Sequence, residues 1–446
     1  MKLFEAVNSA RNLQPFAGKL ALVLCVCSGP MANRAADWPQ YRGPQANGTT
    51  SEKVLATWPE QGPRQVWKTA LNRGFSSFAV AGNRAFTLVS REMDGANREV
   101  CVALDAETGR ELWVVPVGMA KFDGGGDTGA PHNQGGDGPR STPAADDNRV
   151  YVLSGGLSLY CLDASTGHAI WSKDLVKEYG AHNISWQNAA SPLLEGNLLF
   201  VCAGGEGQSL LCFHKNTGGL VWKGQNDRMT HASPIAATIL GHRQVIFFTQ
   251  SGLVSVVPGT GQVLWRYAFP YRTSTAASPV VGGDIVFCSA GYGVGAGAAR
   301  ISKEGNQFKA TELWRKPNQL MNHWSTSIYR DGHLYGLFGF KQWEQVPLKC
   351  IELATGQEKW SHDGFGQGGI VLAGQTIVAL AENGELVAVD ASPSSYRETA
   401  RAKVLTGKCW NNPAIAGGRI YARSTKEGVC LDVSSQVTRQ SIFNFQ

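Results

Sequence analysis

Short apolar stretches alternate with turn residues along nearly all of the chain beyond residue 65. In one clear unit, Ser191-Pro192 leads into an apolar stretch, and three more stretches follow at 198–202, 209–213 and 220–223, separated by Gly-containing turns. Asn and Thr side chains can bond neighbouring amides, and Gly accepts the positive φ of a tight hairpin. The pattern therefore predicts four short antiparallel strands in each unit.

A Thr-Gly-x-x-x-Trp motif marks the last turn and the outer strand of the unit. Its five copies are Thr108-Gly109 with Trp113, Thr166-Gly167 with Trp171, Thr217-Gly218 with Trp222, Thr260-Gly261 with Trp265, and Thr355-Gly356 with Trp360. Trp67 and Trp314 extend the series, with 43 to 58 residues between successive tryptophans. This period is typical of one four-stranded propeller blade. Each tryptophan is predicted to pack against the neighbouring blade.

Eight lead-in segments precede the predicted inner strands. They are Ser76-Ser77, Ser141-Thr142-Pro143, Ser191-Pro192, Ser233-Pro234, Ser278-Pro279, Ser325-Thr326-Ser327, Gly368-Gly369 and Asn411-Asn412-Pro413. The last unit has no outer tryptophan. Trp67, in contrast, lies on a predicted outer strand that is not preceded by three inner strands. The sequence therefore predicts an all-β fold, an eight-bladed β-propeller of four-stranded antiparallel blades over residues 65–446, closed by the N-terminal strand around Trp67.

Two units depart from the pattern. The fifth lacks Thr-Gly and carries the glycine-rich stretch 291–297 with an extended Glu304-Gly305 turn, and the seventh has Ser392-Pro393-Ser394-Ser395-Tyr396 in place of the motif. Irregular loops often carry function, although drift of the repeat explains them equally well.

The first 36 residues differ from the repeats. Lys2, Arg11 and Lys19 precede the apolar run 20–27, and small residues follow it. This order predicts a signal peptide over residues 1–36, with a disordered extension as the alternative. The run is shorter than the roughly 20 residues that span a bilayer. We therefore expect an exported protein, periplasmic or extracellular, with no transmembrane segment after signal removal, in which residues 37–64 form an N-terminal extension.

Charge and histidine spacing exclude several classes of partner and site. The formal net charge is +6, and removal of residues 1–35 would lower it to +3. No run of Lys or Arg occurs, so nucleic acid is not an expected partner. The nine histidines form no metal-binding pair, and the Asp- and Gly-rich segment 119–138 does not match a calcium loop. We interpret that segment as a linker and predict no metal site.

The cysteines follow the repeat. Cys161, Cys212, Cys350 and Cys430 share one register in four different units, so they cannot pair with one another and are predicted to be small buried hydrophobic residues. Cys202 and Cys212 flank one predicted hairpin. A cross-strand disulfide between these two remains open at this point.

The run 103–109, Ala-Leu-Asp-Ala-Glu-Thr-Gly, followed by Trp113, resembles the repeats of pyrroloquinoline-quinone-like propellers. That group includes quinoprotein dehydrogenases and the assembly lipoprotein of the Bam complex, and the resemblance covers roughly residues 65–435. The opening segment 37–44, Asp-Trp-Pro-Gln-Tyr-Arg-Gly-Pro, resembles a segment that precedes such propellers in exported proteins of environmental bacteria. For a dehydrogenase, the resemblance implies the quinone with calcium, adjacent cysteines and a catalytic Asp. The chain has no Cys-Cys dipeptide, and no base or calcium ligand aligns.

Residues just ahead of the inner strands of a propeller gather at the mouth of its channel. Here they are Arg140, Trp186, Gln187, Asn188, His231, His323, Trp324, Gln367 and Trp410. Such a set suits a planar anion, a sugar or a peptide segment, and a water-filled channel without a ligand is the alternative. We predict a non-catalytic propeller with a scaffold or assembly role that binds a protein partner or small ligand there. The alternative function is a pyrroloquinoline-quinone-dependent dehydrogenase of alcohols or sugars, for which no catalytic residue is identified.

Overall fold

Eight β-sheets follow one another along the chain, and each contains four antiparallel strands. The computed structural model describes residues 37–120, 138–146, 148–273, 275–340 and 345–434. The predicted signal peptide and most of the segment 119–138 lie outside these residues. Ahead of the first complete sheet, the chain forms β1 (Thr49–Thr50) and β2 (Arg64–Ala70).

The first four blades follow in order, each starting with its inner strand. Blade 1 contains β3 (Ala79–Ala81), β4 (Arg84–Met93), β5 (Ala96–Asp105) and β6 (Glu111–Met119). Blade 2 contains β7 (Ala144–Ala145), β8 (Arg149–Leu153), β9 (Ser158–Asp163) and β10 (Ala169–Asp174), and the short helix α1 (Leu175–Tyr179) follows it. Blade 3 contains β11 (Leu193–Glu195), β12 (Leu198–Gly205), β13 (Gln208–His214) and β14 (Leu220–Gly224). Blade 4 contains β15 (Ile235–Ile239), β16 (His242–Thr249), β17 (Gly252–Val256) and β18 (Val263–Ala268).

The other four blades repeat this arrangement. Blade 5 contains β19 (Val280–Gly282), β20 (Ile285–Ala290), β21 (Gly295–Glu304) and β22 (Gln307–Lys316). Blade 6 contains β23 (Ile328–Arg330), β24 (His333–Leu337), β25 (Leu348–Glu352) and β26 (Glu358–His362). Blade 7 contains β27 (Gly369–Ala373), β28 (Thr376–Leu380), β29 (Glu385–Asp390) and β30 (Glu398–Lys403). Blade 8 contains β31 (Ala414–Ala416), β32 (Arg419–Arg423) and β33 (Glu427–Asp432), and its outer strand is β2.

The ring closes as the sequence predicts. Strand β2 pairs antiparallel with β33, and Trp67 lies opposite Cys430 in that pair. The eight-bladed, all-β fold is thereby confirmed. The sequence did not predict that β1 adds a fifth strand to blade 7, where it runs parallel to β27.

The Trp and Gly residues of the repeat join neighbouring blades at five positions. Trp67 Nε1 donates a hydrogen bond of 2.9 Å to the carbonyl oxygen of Ala106 in blade 1, and its ring lies against Gly109. A Cβ atom at Gly109 would lie 2.7 Å from that ring, and the residue has a φ of +70°. The glycine is therefore required by the turn and by the close approach of the tryptophan. The same Trp–Gly packing occurs at Gly167, Gly218, Gly261 and Gly356.

The repeated cysteines lie opposite these tryptophans. Trp171, for example, is paired with Cys161 across the outer hairpin, and Cys161 is paired with Tyr151 on the other side. The small side chain lets the two rings approach, with their centroids 6.3 Å apart. This confirms the prediction that these cysteines act as small buried hydrophobic residues.

The structure does not contain the disulfide that the sequence left open. Cys202 lies opposite Leu210, whereas Cys212 lies opposite Phe200, so the two sulfur atoms do not face each other. Both cysteines are free and buried. Within the described ranges, no helix is long and apolar enough to cross a membrane.

Candidate functional site

Hydrogen bonds between lead-in residues link six of the eight neighbouring blade pairs around the propeller axis. The amide of Ser77 in blade 1 donates to Thr142 Oγ1 in blade 2 at 3.0 Å, and the amide of Thr142 donates to Ser191 Oγ in blade 3 at 2.9 Å. The same link joins blade 3 to blade 4, blade 5 to blade 6, blade 7 to blade 8, and blade 8 back to blade 1. These bonds explain why Ser, Thr and Asn recur ahead of the inner strands.

The lead-in segments surround a pocket on the axis, which we call the mouth pocket. Its volume is about 60 Å³, which is room for a few water molecules or one small end group. All eight blades and the segment ahead of β1 contribute to its walls. The aromatic walls are Tyr41, Phe75, Trp324 and Trp410, and the charged and polar walls include Ser77, Arg140, His231, Ser233, Asn411 and Asn412.

Five aromatic rings form an unbroken row beside the mouth pocket, from blade 1 across blades 8 and 6 to blade 5. Successive ring centroids are 5.1, 5.5, 5.3 and 4.4 Å apart in the order Phe75, Trp410, Trp324, Phe340 and Tyr292. Lys408 Nζ lies 4.7 Å from the centroid of the Trp410 ring. The aromatic row is therefore a stack of apolar rings beside the pocket, with a cation near one end.

Two strained residues lie on the opposite side of the mouth. Trp186 and Gln187 have φ values of +67° and +62°, which non-glycine residues rarely adopt. Arg140 Nη1 donates to the Trp186 carbonyl oxygen at 2.5 Å, and His231 Nε2 bonds the Gln187 carbonyl oxygen at 2.8 Å. The strained backbone of blade 3 is thus held by side chains from blades 2 and 4.

His231 is a neutral hydrogen-bond donor in this arrangement. Burial, together with the nearby charge of Arg140, lowers the pKa of its imidazole to about 3. The ring therefore stays uncharged at neutral pH, and the Nε2 proton donates to the Gln187 carbonyl.

The structure brings together only part of the set that the sequence predicts. Arg140, His231, Trp324 and Trp410 line the mouth pocket. Trp186 and Gln187 supply the carbonyls described above. The remaining predicted residues are buried behind the pocket wall, and these are Asn188, His323 and Gln367.

Each of these buried residues supports the wall through a specific contact. The Asn188 Nδ2 donates to the Ala190 carbonyl at 3.0 Å. His323 packs edge to face against Trp324, with their ring centroids 4.8 Å apart. The amide of Gln367 donates to Glu382, whose other carboxylate oxygen accepts the indole N–H of Trp410 at 2.8 Å.

Sequence reasoning did not predict several residues of the pocket wall as ligand contacts, among them Tyr41, Phe75, Asn411 and Asn412. The two asparagines were recognised only as lead-in residues, although they occupy the same positions as the predicted serines. Phe75 directly precedes a lead-in segment, so its position was a usable signal. Tyr41 lies outside the repeat, and no repeat position indicates it.

Several buried polar atoms at the mouth lack a hydrogen-bond partner among the described residues. They are Ser141 Oγ, Gln367 Nε2 and Asn411 Oδ1. Leaving a buried polar atom unsatisfied costs about 1–3 kcal/mol. Such atoms call for an explanation, and an ordered water or a bound ligand is the usual one.

One buried carboxyl group lies near the mouth, between blades 1 and 2. Glu99 is fully buried, and its Oε2 accepts a hydrogen bond of 2.8 Å from the amide of Gly155. Desolvation raises the pKa of this carboxyl to about 7, against the opposing effects of the Gly155 amide and Arg140. Glu99 is therefore protonated below neutral pH and becomes a buried anion above it.

Replacement of Glu99 by Gln tests this assignment. The folded protein binds the Glu99 proton more tightly than the unfolded chain, so this group stabilises the fold below about pH 4.5 and loses that contribution as pH rises through about 7. We compare the free energy of unfolding of the unsubstituted protein with that of Glu99→Gln at each pH. The value for the unsubstituted protein minus the value for the variant should fall by about 2–3 kcal/mol between pH 5 and pH 8. Urea unfolding of both proteins across this range measures the difference. A difference that is independent of pH would contradict the assignment.

Comparison with solved structures shows the same fold at low sequence identity. BamB from Moraxella catarrhalis is 16% identical, with a TM-score of 0.57 over 83% of this chain and 97% of that one. Quinohemoprotein alcohol dehydrogenase from Comamonas testosteroni is 14% identical, with a TM-score of 0.62 over 89% of this chain and 80% of that one. The computationally designed Ika8 protein is 12% identical, with a TM-score of 0.56 over 83% of this chain and all of that one.

The family comparison is more specific. No curated protein matches the sequence. The family model described as outer membrane protein assembly factor BamB matches residues 96–327 and 345–436, which is well over half of the chain. The match starts within blade 1, leaves out residues 328–344, and includes all five Thr-Gly-x-x-x-Trp motifs. The chain therefore belongs to the β-propeller family described as outer membrane protein assembly factor BamB.

Proposed function

We propose that this protein is an exported, non-catalytic propeller that binds a protein partner or a small ligand at the mouth pocket. The observation that carries the proposal is the convergence of all eight blades on one pocket that has aromatic walls and the unsatisfied Oδ1 atom of Asn411. A ligand there would supply the partner that Asn411 Oδ1 lacks among the described residues. The strained backbone at Trp186 and Gln187 supports the same location.

A scaffold or assembly role fits the family to which the chain belongs, since its description names an assembly factor of the outer membrane. Such a role would require export, which agrees with the signal peptide proposed for residues 1–36. Fold alone does not specify an activity, so the proposal depends on the mouth pocket.

The residues at the mouth do not fit a calcium-bound quinone. Among the described lining residues of the mouth pocket, none is Asp or Glu, and calcium prefers carboxylate and carbonyl oxygen ligands. Elsewhere in the described ranges, no three His, Cys, Asp or Glu side chains group to hold a metal ion. The nearby carboxylate of Glu382 accepts hydrogen bonds from Trp410 and from the amide of Gln367. We therefore derive no oxidation step for this chain.

The substitution Trp324→Ala tests the proposed function. Trp324 is half-buried, lines the mouth pocket and lies at the centre of the aromatic row. Loss of one stacked aromatic contact should weaken binding by about 2 kcal/mol or more, which is roughly thirtyfold. Native mass spectrometry of protein purified from the periplasm should show a bound ligand or partner on the unsubstituted chain and its loss from the variant.

Trp58→Ala is the matched control. Trp58 is also half-buried, but it packs against the apolar cluster formed by blades 7, 8 and 1 rather than at the mouth. This variant should retain whatever the unsubstituted protein carries. Equal loss from both variants, or reduction of a redox dye by the protein with added quinone, calcium and an alcohol or aldose, would overturn the proposal.

A further inference from the structure

Residues 37–52, which we call the N-terminal strap, cross the channel and contact the blades on both sides of it. At blade 1, Trp38 and Val80 exchange two backbone hydrogen bonds of 2.9 and 2.8 Å. At blade 2, the Pro39 carbonyl accepts from the amide of Ala145 at 2.6 Å. At blade 3, the Gln40 side chain accepts from the amide of Leu194 at 2.9 Å. The strap thus begins by binding three adjacent inner strands.

The strap then reaches the other side of the ring. Arg42 donates hydrogen bonds of 2.7 Å to the carbonyl oxygens of Thr326 and Ser327 at blade 6. Strand β1 pairs with β27 of blade 7, and Glu52 accepts from the amide of Gly418 at 2.7 Å in blade 8. At blades 7 and 8, these contacts lie at the far ends of inner strands that begin at the mouth. The strap therefore spans the channel from one wall to the other.

Consecutive residues of the strap line two separate cavities. Tyr41 lines the mouth pocket, whereas Arg42 lines a second cavity of about 330 Å³ beside blades 4 and 5. The two cavities share no lining residue in the described part of the chain. The strap therefore lies between the mouth pocket and this second cavity.

We propose that the strap is a fixed floor of the mouth pocket and that Tyr41 is a ligand-contacting residue at its base. The pocket is then open only at the mouth and closed at its base. It accepts the end group of a ligand with a flat face, inserted from the mouth. A polymer cannot pass through the channel. The ligand contact of Tyr41 rests on the proposed function, which supplies the ligand. The position of the strap at the base of the pocket does not depend on the proposed function.

Cysteine labelling of the full chain tests the floor without any ligand. Tyr41→Cys places a thiol in the mouth pocket, and Gln45→Cys places one at an exposed position of the same strap. The eight described native cysteines are buried, and the unsubstituted protein provides the background. Methyl methanethiosulfonate should label both variants. A long polyethylene-glycol maleimide should label Tyr41→Cys more than about tenfold more slowly than Gln45→Cys, because it reaches that thiol only when the strap opens locally.

Two outcomes would overturn the proposal. Equal rates with the long reagent would show that the strap leaves the channel open, and no reaction of Tyr41→Cys with the small reagent would show that residue 41 does not face the pocket. Hydrogen exchange of the unsubstituted protein adds a check, since the amides of Leu372 and Gly374 donate to strap carbonyls and should exchange slowly. Failure of these tests leaves the Trp324→Ala result unaffected, so the two proposals fail separately.

Discussion

Replacement of Arg42 by Met is expected to lower the free energy of unfolding by about 3–5 kcal/mol. The guanidinium is buried, and it donates three hydrogen bonds of 2.7 Å to the carbonyls of Asn47, Thr326 and Ser327. Burial lowers the pKa of Arg42 to about 10, so the group is still a cation at neutral pH. Methionine nearly keeps the volume but leaves these carbonyls without their charged donor. Urea unfolding followed by circular dichroism measures the loss.

Arg64→Met is the matched control for Arg42→Met. The Arg64 side chain is 66% exposed and forms an ion pair with Asp432 at 2.6 Å. Exposed ion pairs contribute about 0–1 kcal/mol, so this variant should remain close to the unsubstituted protein. A similar loss in both variants would show that Arg42 does not hold the strap between blades. Arg42→Met should also speed hydrogen exchange at Leu372, which bonds the strap at Gly48.

The second large effect is expected at the ring closure. Gly109→Ala should lower the free energy of unfolding by about 3 kcal/mol, because it combines a strained backbone with a steric clash. The glycine has a φ of +70°, and a new Cβ would lie 2.7 Å from the Trp67 ring. Trp67 belongs to β2, the strand that closes the propeller, so the clash would weaken the contact between blades 8 and 1.

Gly196→Ala separates these two contributions. Gly196 has a φ of +58°, and nothing lies within 4 Å of its added Cβ. This variant should lose only the conformational part, about 1 kcal/mol. If Gly109→Ala is no more destabilising than Gly196→Ala, the tryptophan does not require the glycine and the explanation of the motif is wrong.

The repeat made most of the fold predictable. The tryptophans, glycines and lead-in residues recur because each performs the same task in every blade, as Trp67 and Gly109 do at the closure. Trp265 is an exception with a physical reason. The fifth unit lacks Thr-Gly, and the indole N–H of Trp265 instead bonds Gln244 in its own blade at 2.7 Å.

The candidate site was only partly predictable. Arg140, His231, Trp324 and Trp410 were indicated by their positions ahead of inner strands, and they line the mouth pocket. The strap was not predicted, because its backbone hydrogen bonds and the side-chain bonds of Gln40, Arg42 and Glu52 occur once and follow no period. Tyr41 is brought to the axis by those contacts, so no repeat-based reasoning could have placed it there.

A high-resolution structure of the protein purified from its native cells tests the central claim most directly. The account predicts non-protein density in the mouth pocket, between Tyr41 and the rings of Trp324 and Trp410, within hydrogen-bond distance of Asn411. It also predicts the strap in place across the channel. A channel open at both ends, or a ligand bound at another surface with only water beside Trp324, would contradict it.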